Sequence, residues 1–421
     1  MLLKNLYDSH VHLAATGEMA CQADLSVLKS LEDFARLKPR PADFRGPWLV
    51  GFGWDENRWP EARAPRALDL DRFFPDTPVY FSRCDGHSGV TNSRGLALLG
   101  KSGEGVFYET EHYLNLQSLP AASDEEMRRY LSLGMKRFNA AGFTHVRDMA
   151  GGAQAWNESL RLEDRGESAL HVDWNFACEN LADFDRVLEE AKAARRAQSP
   201  LNKLLGMKFY YDGSLGSDTA LLSQPYLHRD DGTQGMACWS LDEAAEVIRR
   251  SWENDLEVAV HTIGDEAVDR MVEIARQLSA AGLGGRLNLE HAEIIRPETI
   301  QKMKPLHVIC HLQPCHWLTD RLWLEKKLGP LARHAFPWEA LRRMKIPVRF
   351  GSDSPIEAPS LFSNLKALRE SVATGIPALQ GDPLSFHVHP DPHVTAGESL
   401  FADEKTLEVR LNGRVVFSAR D

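Results

Sequence analysis

The chain has 421 residues, which is too long for one small module and predicts two or three domains or one elaborated barrel. Hydrophobic residues make up 43% and charged residues 26%, so the chain can bury a full core and is not expected to be disordered. Its formal charge of −11 disfavours binding to nucleic acid or to anionic membrane surfaces.

The apolar runs are as long as strands, and none approaches the roughly 18 residues of a membrane-spanning helix. The first residues, MLLKNLYDSHVHL, lack an apolar block that ends in a small-residue cleavage site. We therefore expect a soluble, cytoplasmic protein with no membrane partner. The six cysteines form no C-x-x-C pair, which predicts free thiols and argues against a structural zinc site.

Eight short apolar runs recur along the chain, and a helical pattern follows several of them. Eight parallel strands close a (β/α)₈ barrel, so the sequence predicts an α/β fold of this class. The periodicity predicts helices over 241–254, after the N-cap candidate Ser240, and over 265–281. The eight predicted strands are residues 6–12, 143–148, 171–178, 205–212, 256–261, 286–291, 307–313 and 347–353.

Residues 13–142 separate the first two predicted strands and are far too many for an ordinary loop between a strand and a helix. They contain strand-like runs at 48–54 and 78–84. We therefore predict a distorted barrel over residues 1–380, with residues 13–142 inserted after strand one as an α/β lid subdomain.

Residues 381–421 have a different character from the barrel. Residues 381–397 are rich in Pro, His, Asp and Gly, which predicts an irregular loop. Residues 407–417 alternate around Asn412-Gly413, a strong hairpin signal. His387, His389 and His393 lie in the loop, where we expect them to be solvated; binding of an adventitious metal ion is the alternative.

Side chains that can bind a metal ion stand at the ends of several predicted strands. His10 and His12 are two residues apart in a strand, so their side chains point to the same side. His261, His291 and Asp353 each end a later run. Any one of these positions is a weak signal, but together they form a ligand set suited to a divalent cation such as zinc.

Lys208, in MKFYYDG, is predicted to lie at the mouth of the barrel. Burial lowers the pKa of a lysine, and its neutral amine can capture carbon dioxide to form a carbamate that bridges two cations. An ordinary ion pair with Asp212 is the alternative interpretation of these two residues.

The full order of H-x-H, Lys, His, His and Asp on strands 1, 4, 5, 6 and 8 resembles the amidohydrolase superfamily. Longer segments resemble amidohydrolase family 3, which includes N-substituted formamide deformylases. The resemblance covers roughly residues 7–370 and implies a distorted barrel that hydrolyses a C–N bond, commonly with zinc. Among the matching segments are DSHVHL, GFGWDENRW, DGHSGVTNSRGL, GFTHVRDM, KFYYDGSLGSDTALL, VAVHTIGDEAVD, LEHAEII, LQPCHW and GSDSPIEAP.

The resemblance also implies a metal centre. Carboxylated Lys208 would bridge two zinc ions, although one zinc ion beside an unmodified lysine remains the alternative. Asp353 would also be catalytic. It would accept a proton from the zinc-bound water, which becomes hydroxide, and pass this proton to the leaving amine. The implied metal ligands are His10, His12, Lys208, His261, His291 and Asp353.

Flanking residues are expected to shape the site, with a structural role left open for each. His316 could donate a hydrogen bond to the developing oxyanion and so be catalytic. Asp212 and Glu290 are next to predicted ligands and could orient them. The candidate substrate-binding residues are Trp54, His87, Asn92 and Asp212.

The leading hypothesis is a zinc-dependent enzyme that cleaves a non-peptide amide or formamide bond in a small molecule. The alternatives are a deaminase or cyclic amidase on the same scaffold, and a catalytically idle metal-binding protein. The resemblance further implies a small β-sandwich domain, which we expect to be reduced or absent because only the hairpin at 407–417 is evident. A homodimer therefore remains open.

Overall fold

The structure is a computed structural model that describes residues 1–84 and 88–420. Its strands are β1 (Leu2–Lys4), β2 (Tyr7–Val11), β3 (Ala23–Asp24), β4 (Phe44–Arg45), β5 (Trp48–Trp54), β6 (Val79–Arg83), β7 (Ser88–Thr91), β8 (Val106–Tyr108), β9 (His145–Gly151), β10 (His171–Ala177), β11 (Asn202–Tyr210), β12 (Glu257–Thr262), β13 (Leu287–His291), β14 (Val308–Leu312), β15 (Val348–Phe350), β16 (Gly397–Ala402), β17 (Lys405–Leu411) and β18 (Arg414–Ser418).

The α-helices are α1 (Leu13–Met19), α2 (Ala67–Asp71), α3 (Ser93–Leu98), α4 (Glu109–Ser118), α5 (Asp124–Ala140), α6 (Ala153–Asp164), α7 (Leu181–Arg196), α8 (Leu241–Glu253), α9 (Asp265–Ala280), α10 (Pro297–Met303), α11 (His316–Asp320), α12 (Leu324–Leu328), α13 (Trp338–Arg343) and α14 (Leu361–Glu370). Short 3₁₀ helices span Leu31–Arg36, Pro41–Asp43, Glu56–Arg58, Gly329–His334, Ser371–Thr374 and Pro383–His387. Among the described residues, no helix combines the length and apolar character needed to cross a membrane.

The chain divides into two compact units. One comprises Met1–Ala15 together with Gly134–Asp421, and the other is Thr16–Leu133. The second unit is somewhat shorter than the insertion predicted over 13–142. That this unit covers the active site as a lid stays a prediction.

Eight parallel strands form the sheet of the larger unit, in the order β2, β9, β10, β11, β12, β13, β14 and β15. A parallel bridge between Val11 and Ser354 joins the two ends of this sheet. Two further backbone hydrogen bonds, from Asp353 N to His10 O and from His12 N to Ser354 O, are both 2.8 Å long. All eight predicted barrel strands are thereby confirmed.

The barrel strands read as apolar runs because both faces of a parallel sheet are covered. In β10, the first six of seven residues are buried. The helices between the strands begin where the sequence predicts. Ser240 caps α8 and forms a capping box with Glu243, and α8 and α9 end at Glu253 and Ala280, close to the predicted ends.

The C-terminal residues form a four-stranded antiparallel sheet with strand order β1, β16, β17, β18. The predicted hairpin is confirmed, with positive φ at Asn412 (50°) and Gly413 (77°) as a two-residue turn requires. Ser399 Oγ donates to Gly142 O at 2.6 Å, which fixes β16 to the barrel unit. A single sheet therefore stands where the family resemblance implies a sandwich, in agreement with the expected reduction.

The smaller unit has its own mixed sheet, in which β3, β5, β6, β7 and β8 are neighbours and β4 pairs with β5. Its core is rich in aromatic side chains. Phe34 and Phe81 stack with ring centroids 5.5 Å apart, and Trp59 packs edge-on to Phe34 at 6.1 Å. This unit thus has an apolar core of its own.

The expectation of solvated histidines in the loop before β16 is wrong for two of the three. His387 and His389 are 0% and 8% exposed, whereas His393 is exposed. The prolines of this segment predict irregular backbone, but they do not show whether the segment packs against a neighbouring strand. Here residue 388 bridges to Leu6, beside β2.

Candidate active site

The six predicted metal ligands lie at or beyond the carboxyl ends of barrel strands, where parallel strands deliver their side chains to one edge. Asp353 Oδ1 lies 3.2 Å from both His10 Nε2 and His12 Nε2. The ring centroid of His291 lies 4.6 Å from that of His10 and 4.4 Å from that of His261. Residues from the first, fifth, sixth and eighth strands thus meet in one place.

Hydrogen bonds fix which ring nitrogens are available. His10 Nδ1 donates to Glu290 Oε2 at 2.6 Å, and His291 Nδ1 donates to Gln313 Oε1 at 3.0 Å. In both rings the lone pair is therefore on Nε2. In His261 the lone pair is on the other nitrogen. Its Nε2 donates to the Gly213 carbonyl at 3.0 Å, which leaves the lone pair on Nδ1. Such outer partners are what orient histidine ligands at metal sites.

Glu290 is completely buried and is balanced by Arg147 on β9, whose Nη1 donates to Glu290 Oε1 at 2.6 Å. Burial would raise the pKa of Glu290, but Arg147 and His10 hold it well below its usual range. The carboxylate therefore stays ionised and accepts the hydrogen bond from His10; that it orients a metal ligand stays a prediction. Arg147 was missed, although a charged residue in the middle of a predicted buried strand is a recognisable signal.

Lys208 is fully buried, and its Nζ makes no hydrogen bond to any residue that the structure describes. Burial lowers the pKa of this amine to about 8. The Nζ lies 3.8 Å from the centroid of the Tyr210 ring. The alternative, an ion pair with Asp212, does not form, since neither oxygen of Asp212 is paired with it.

Asp353 is 6% exposed and lies among imidazoles. Burial would raise its pKa, but His10 and His12 hold it well below the usual range. Asp353 and His291 both have left-handed backbone, with φ of 60° and 67°. Such conformations are uncommon in residues other than glycine and cluster at functional sites. Two ligand positions thus carry backbone strain.

His316 begins α11 and faces the same centre. Its Nδ1 donates to Glu293 Oε1 at 3.1 Å, and its Nε2 lies 3.8 Å from Asp353 Oδ2. Although burial opposes protonation, Glu293 raises the pKa of His316 to about 9. The ring can therefore present an N–H toward Asp353. Glu293 was not predicted; its position two residues after His291 was the available signal.

Asp212 lies beside His261 but makes structural contacts. Its carboxylate accepts backbone N–H groups of Leu221 (2.9 Å), Ile263 (3.0 Å) and Gly264 (2.9 Å). These bonds join two loops at the rim of the barrel. They favour a scaffolding role over the predicted contact with substrate.

Trp54 and Asn92, which were also predicted to bind substrate, belong to the smaller unit. The Asn92 amide caps α3 through Gly95 N at 3.0 Å and donates to Phe74 O and Thr77 O, both at 2.8 Å. Trp54 is buried in the aromatic core, 1% exposed. Both arrangements favour structural roles within that unit. His87 lies outside the described residues.

The donor set fits a metal centre. His10 Nε2, Lys208 Nζ and Asp353 Oδ1 are all buried, and among the described residues none of the three atoms has a hydrogen-bond partner. His10, His291 and Asp353 also offer ligand atoms that all lie within 4.8 Å of one another. Leaving such atoms unsatisfied in a core is costly, whereas imidazole and carboxylate are ordinary ligands of divalent zinc.

Comparison with known proteins supports this interpretation. Residues 6–371 match the sequence profile described as Amidohydrolase family. The chain is 29% identical over 396 residues to YtcJ of Bacillus subtilis (strain 168), which is named as an amidohydrolase, covering 88% of this chain and 74% of that protein. It is 25% identical to the protein LONG AFTER FAR-RED 3 of Arabidopsis thaliana, covering 85% and 66%.

Two solved structures of uncharacterised metal-dependent hydrolases are also similar. That from Pyrococcus furiosus has a TM-score of 0.73 and 28% identity, covering 87% of this chain and 76% of that chain. That from Pyrococcus horikoshii OT3 has a TM-score of 0.74 and 24% identity, covering 90% and 76%. With a profile match over most of its length and strand-end ligands in the matching order, the chain belongs to the amidohydrolase family.

Proposed function

We propose that this protein is a metal-dependent hydrolase that cleaves a non-peptide amide or formamide bond in a small molecule. The observation that carries the proposal is the convergence of His10, His291 and Asp353 beside the buried, unpaired Lys208 amine. Family membership and the metal-dependent hydrolases among its structural relatives support the same interpretation.

The residues that would hold metal are the six strand-end groups. We propose zinc, with two ions preferred, and a carboxylated Lys208 between them. A divalent cation at such a site supplies Lewis acidity and lowers the pKa of bound water. The nitrogens that would bind metal are Nε2 of His10 and His291 and Nδ1 of His261. The other nitrogen of each ring donates a hydrogen bond to the protein.

Asp353 is the proposed proton acceptor. Its carboxylate is ionised and lies within the cluster, so it can take a proton from water and deliver it to the leaving nitrogen. His316 is the proposed oxyanion donor, because Glu293 fixes its Nδ1–H and leaves Nε2 directed toward Asp353. Together these groups support both halves of a C–N bond hydrolysis.

The deaminase and cyclic amidase alternatives use the same groups and differ in the bond that breaks. The idle-protein alternative is disfavoured because a purely structural zinc site fills all its positions with protein ligands and needs no buried proton acceptor. Asp353 supplies such a buried acceptor, and its Oδ2 lies 3.8 Å from His316 Nε2.

The test is a hydrolysis assay on a panel of N-formyl amines, N-acyl amines, cyclic amides and aminated bases, with products identified by mass. We expect amine release from the first two classes. Asp353→Asn should lower kcat on the order of 10²–10⁴-fold, the usual contribution of general acid–base catalysis.

Asp230→Asn, which changes an exposed carboxylate, is the matched control and should keep the wild-type rate. Ammonia release or ring opening alone would replace the proposed bond specificity with that of a deaminase or a cyclic amidase. An Asp353→Asn variant as fast as wild type on every substrate would overturn the mechanism.

A further inference from the structure

A second group of buried polar side chains lies at the opposite end of the barrel from the candidate active site. His171 and Asp173 are the first and third residues of β10, and His389 comes from the segment that precedes β16. Their exposed fractions are 1%, 4% and 8%. The proposed hydrolysis uses none of them.

The three side chains are spaced like ligands of one ion. His171 Nε2 lies 3.2 Å from Asp173 Oδ1, and His389 Nε2 lies 2.9 Å from Asp173 Oδ2. One ligand atom from each side chain lies within 4.8 Å of the other two. Zinc bonds of roughly 2.0–2.2 Å place tetrahedral ligands about 3.4 Å apart, so only small adjustments are needed.

The hydrogen bonds of His171 require a cation beside Asp173. His171 Nδ1 lies 3.1 Å from the Pro200 carbonyl oxygen, which can only accept, so Nδ1 carries hydrogen. In a neutral ring, Nε2 would then present its lone pair to a carboxylate oxygen, which is repulsive. Either a proton or a metal ion must therefore lie between His171 and Asp173.

Neighbouring groups hold the Asp173 carboxylate in place and show that His145 is not a further ligand of the ion. Tyr7 OH donates to Asp173 Oδ2 at 3.2 Å, as outer partners do at metal sites. The His145 ring centroid lies 5.1 Å from those of both His171 and His389, but its Nε2 donates to Thr395 O at 2.9 Å. Its Nδ1 lies 2.8 Å from Thr144 Oγ1, so both ring nitrogens of His145 already have partners.

We propose that His171, Asp173 and His389 bind one divalent transition-metal ion, at a site separate from the active-site metals. Two imidazoles and a carboxylate are suitable ligands for zinc and for other first-row divalent ions. Because His389 leads into β16, the ion would also fasten this segment to β10.

Binding also requires a proton to move on His389. As arranged, the Asp391 N–H donates to His389 Nδ1 at 3.1 Å, which places the ring hydrogen on Nε2. When Nε2 binds the ion, the hydrogen moves to Nδ1, so the bond from Asp391 N–H is broken and Nδ1–H donates instead to the Asp391 carbonyl oxygen, 3.4 Å away. The ion would then occupy the position between His171 Nε2 and Asp173 Oδ1.

The direct test uses the wild-type full chain, crystallised with Zn²⁺ and measured at the zinc absorption edge. We expect an anomalous peak bonded to His171 Nε2, His389 Nε2 and the Asp173 carboxylate. Peaks at the active site with none at this cluster would overturn the proposal. The outcome is independent of any hydrolytic activity.

The complementary test counts zinc per chain after equilibrium dialysis. Asp173→Asn and His389→Gln should each bind one ion fewer than wild type while retaining its hydrolytic rate. His393→Gln, at the exposed histidine of the same segment, is the matched control and should lose none. Unchanged zinc content in folded Asp173→Asn and His389→Gln would mean that the cluster binds a proton only.

Discussion

At the scale of single residues, the candidate site depends on carboxylates whose partners lie on other strands. Glu290 contacts His10 on one side and Arg147 on the other, with both bonds 2.6 Å long. Burying an ionised carboxylate costs much free energy unless the group is paired with a cation and hydrogen-bonded. We therefore propose that Arg147 is a positioning residue that acts through Glu290 on His10, a proposed metal ligand.

Arg147→Met should strongly destabilise the protein, because it leaves the Glu290 charge buried without its cation. Loss of one partner of a buried pair typically costs about 3–5 kcal/mol. Urea unfolding measures the change in free energy, and Arg147→Met/Glu290→Gln should recover part of it. Arg276→Ala, which removes an exposed pair with Glu273, is the control and should cost at most about 1 kcal/mol. An equal effect of Arg147→Met and Arg276→Ala would contradict this account.

Glu293→Gln should lower kcat by about 10–100-fold with little change in KM, because it weakens the orientation of His316 without touching the substrate. Steady-state kinetics with the substrate found in the panel would measure both constants. Glu325→Gln, at an exposed position on α12, should leave them unchanged. A rise in KM with constant kcat would show that Glu293 binds the substrate directly.

At the scale of elements, the barrel closes where the last strand meets the first. Gly351 follows β15, and a Cβ at this position would lie 2.7 Å from the backbone nitrogen of His10. Only glycine fits this contact, so the sequence GSD at 351–353 both closes the barrel and places Asp353 next to His10.

Gly351→Ala should therefore push β15 away from β2 and lower both stability and hydrolytic rate. Thermal unfolding and kcat/KM are the measurements. Gly284→Ala is the matched control, because no atom lies within 4 Å of the position that its Cβ would occupy, and it should leave both quantities nearly unchanged. Wild-type behaviour of Gly351→Ala would show that the barrel tolerates a wider gap between β15 and β2.

The sequence predicts the barrel well because apolar and β-branched residues recur in each strand and several strands have a chemically distinctive end. His10, His261, His291 and Asp353 could be located in this way. The positions of Arg147 and Glu293 carried a signal, but their roles could not be assigned, since they depend on partners 143 residues away in one case and 23 in the other. The β1 and β16 strands were also missed, because β1 has only three residues and pairs with β16 from the other end of the chain, so no local pattern shows the pairing.

At the scale of the whole molecule, the chain spans about three quarters of the YtcJ and Pyrococcus proteins that it matches. Its small β-structure is one four-stranded sheet. Trp54 and Asn92 were predicted to bind substrate on the assumption that the inserted unit covers the active site. Composition could not separate a substrate contact from a helix cap or a core tryptophan, because the same residue types serve both.

The central claim is that hydrolysis depends on metal held by the strand-end ligands. The most direct measurement is the hydrolytic rate of chelator-treated protein as zinc is returned, with bound zinc counted in parallel. The account predicts a rate near zero without metal that recovers as the active-site ions bind, and no recovery in His10→Ala. Full activity in the chelated protein, with no metal bound, would contradict it.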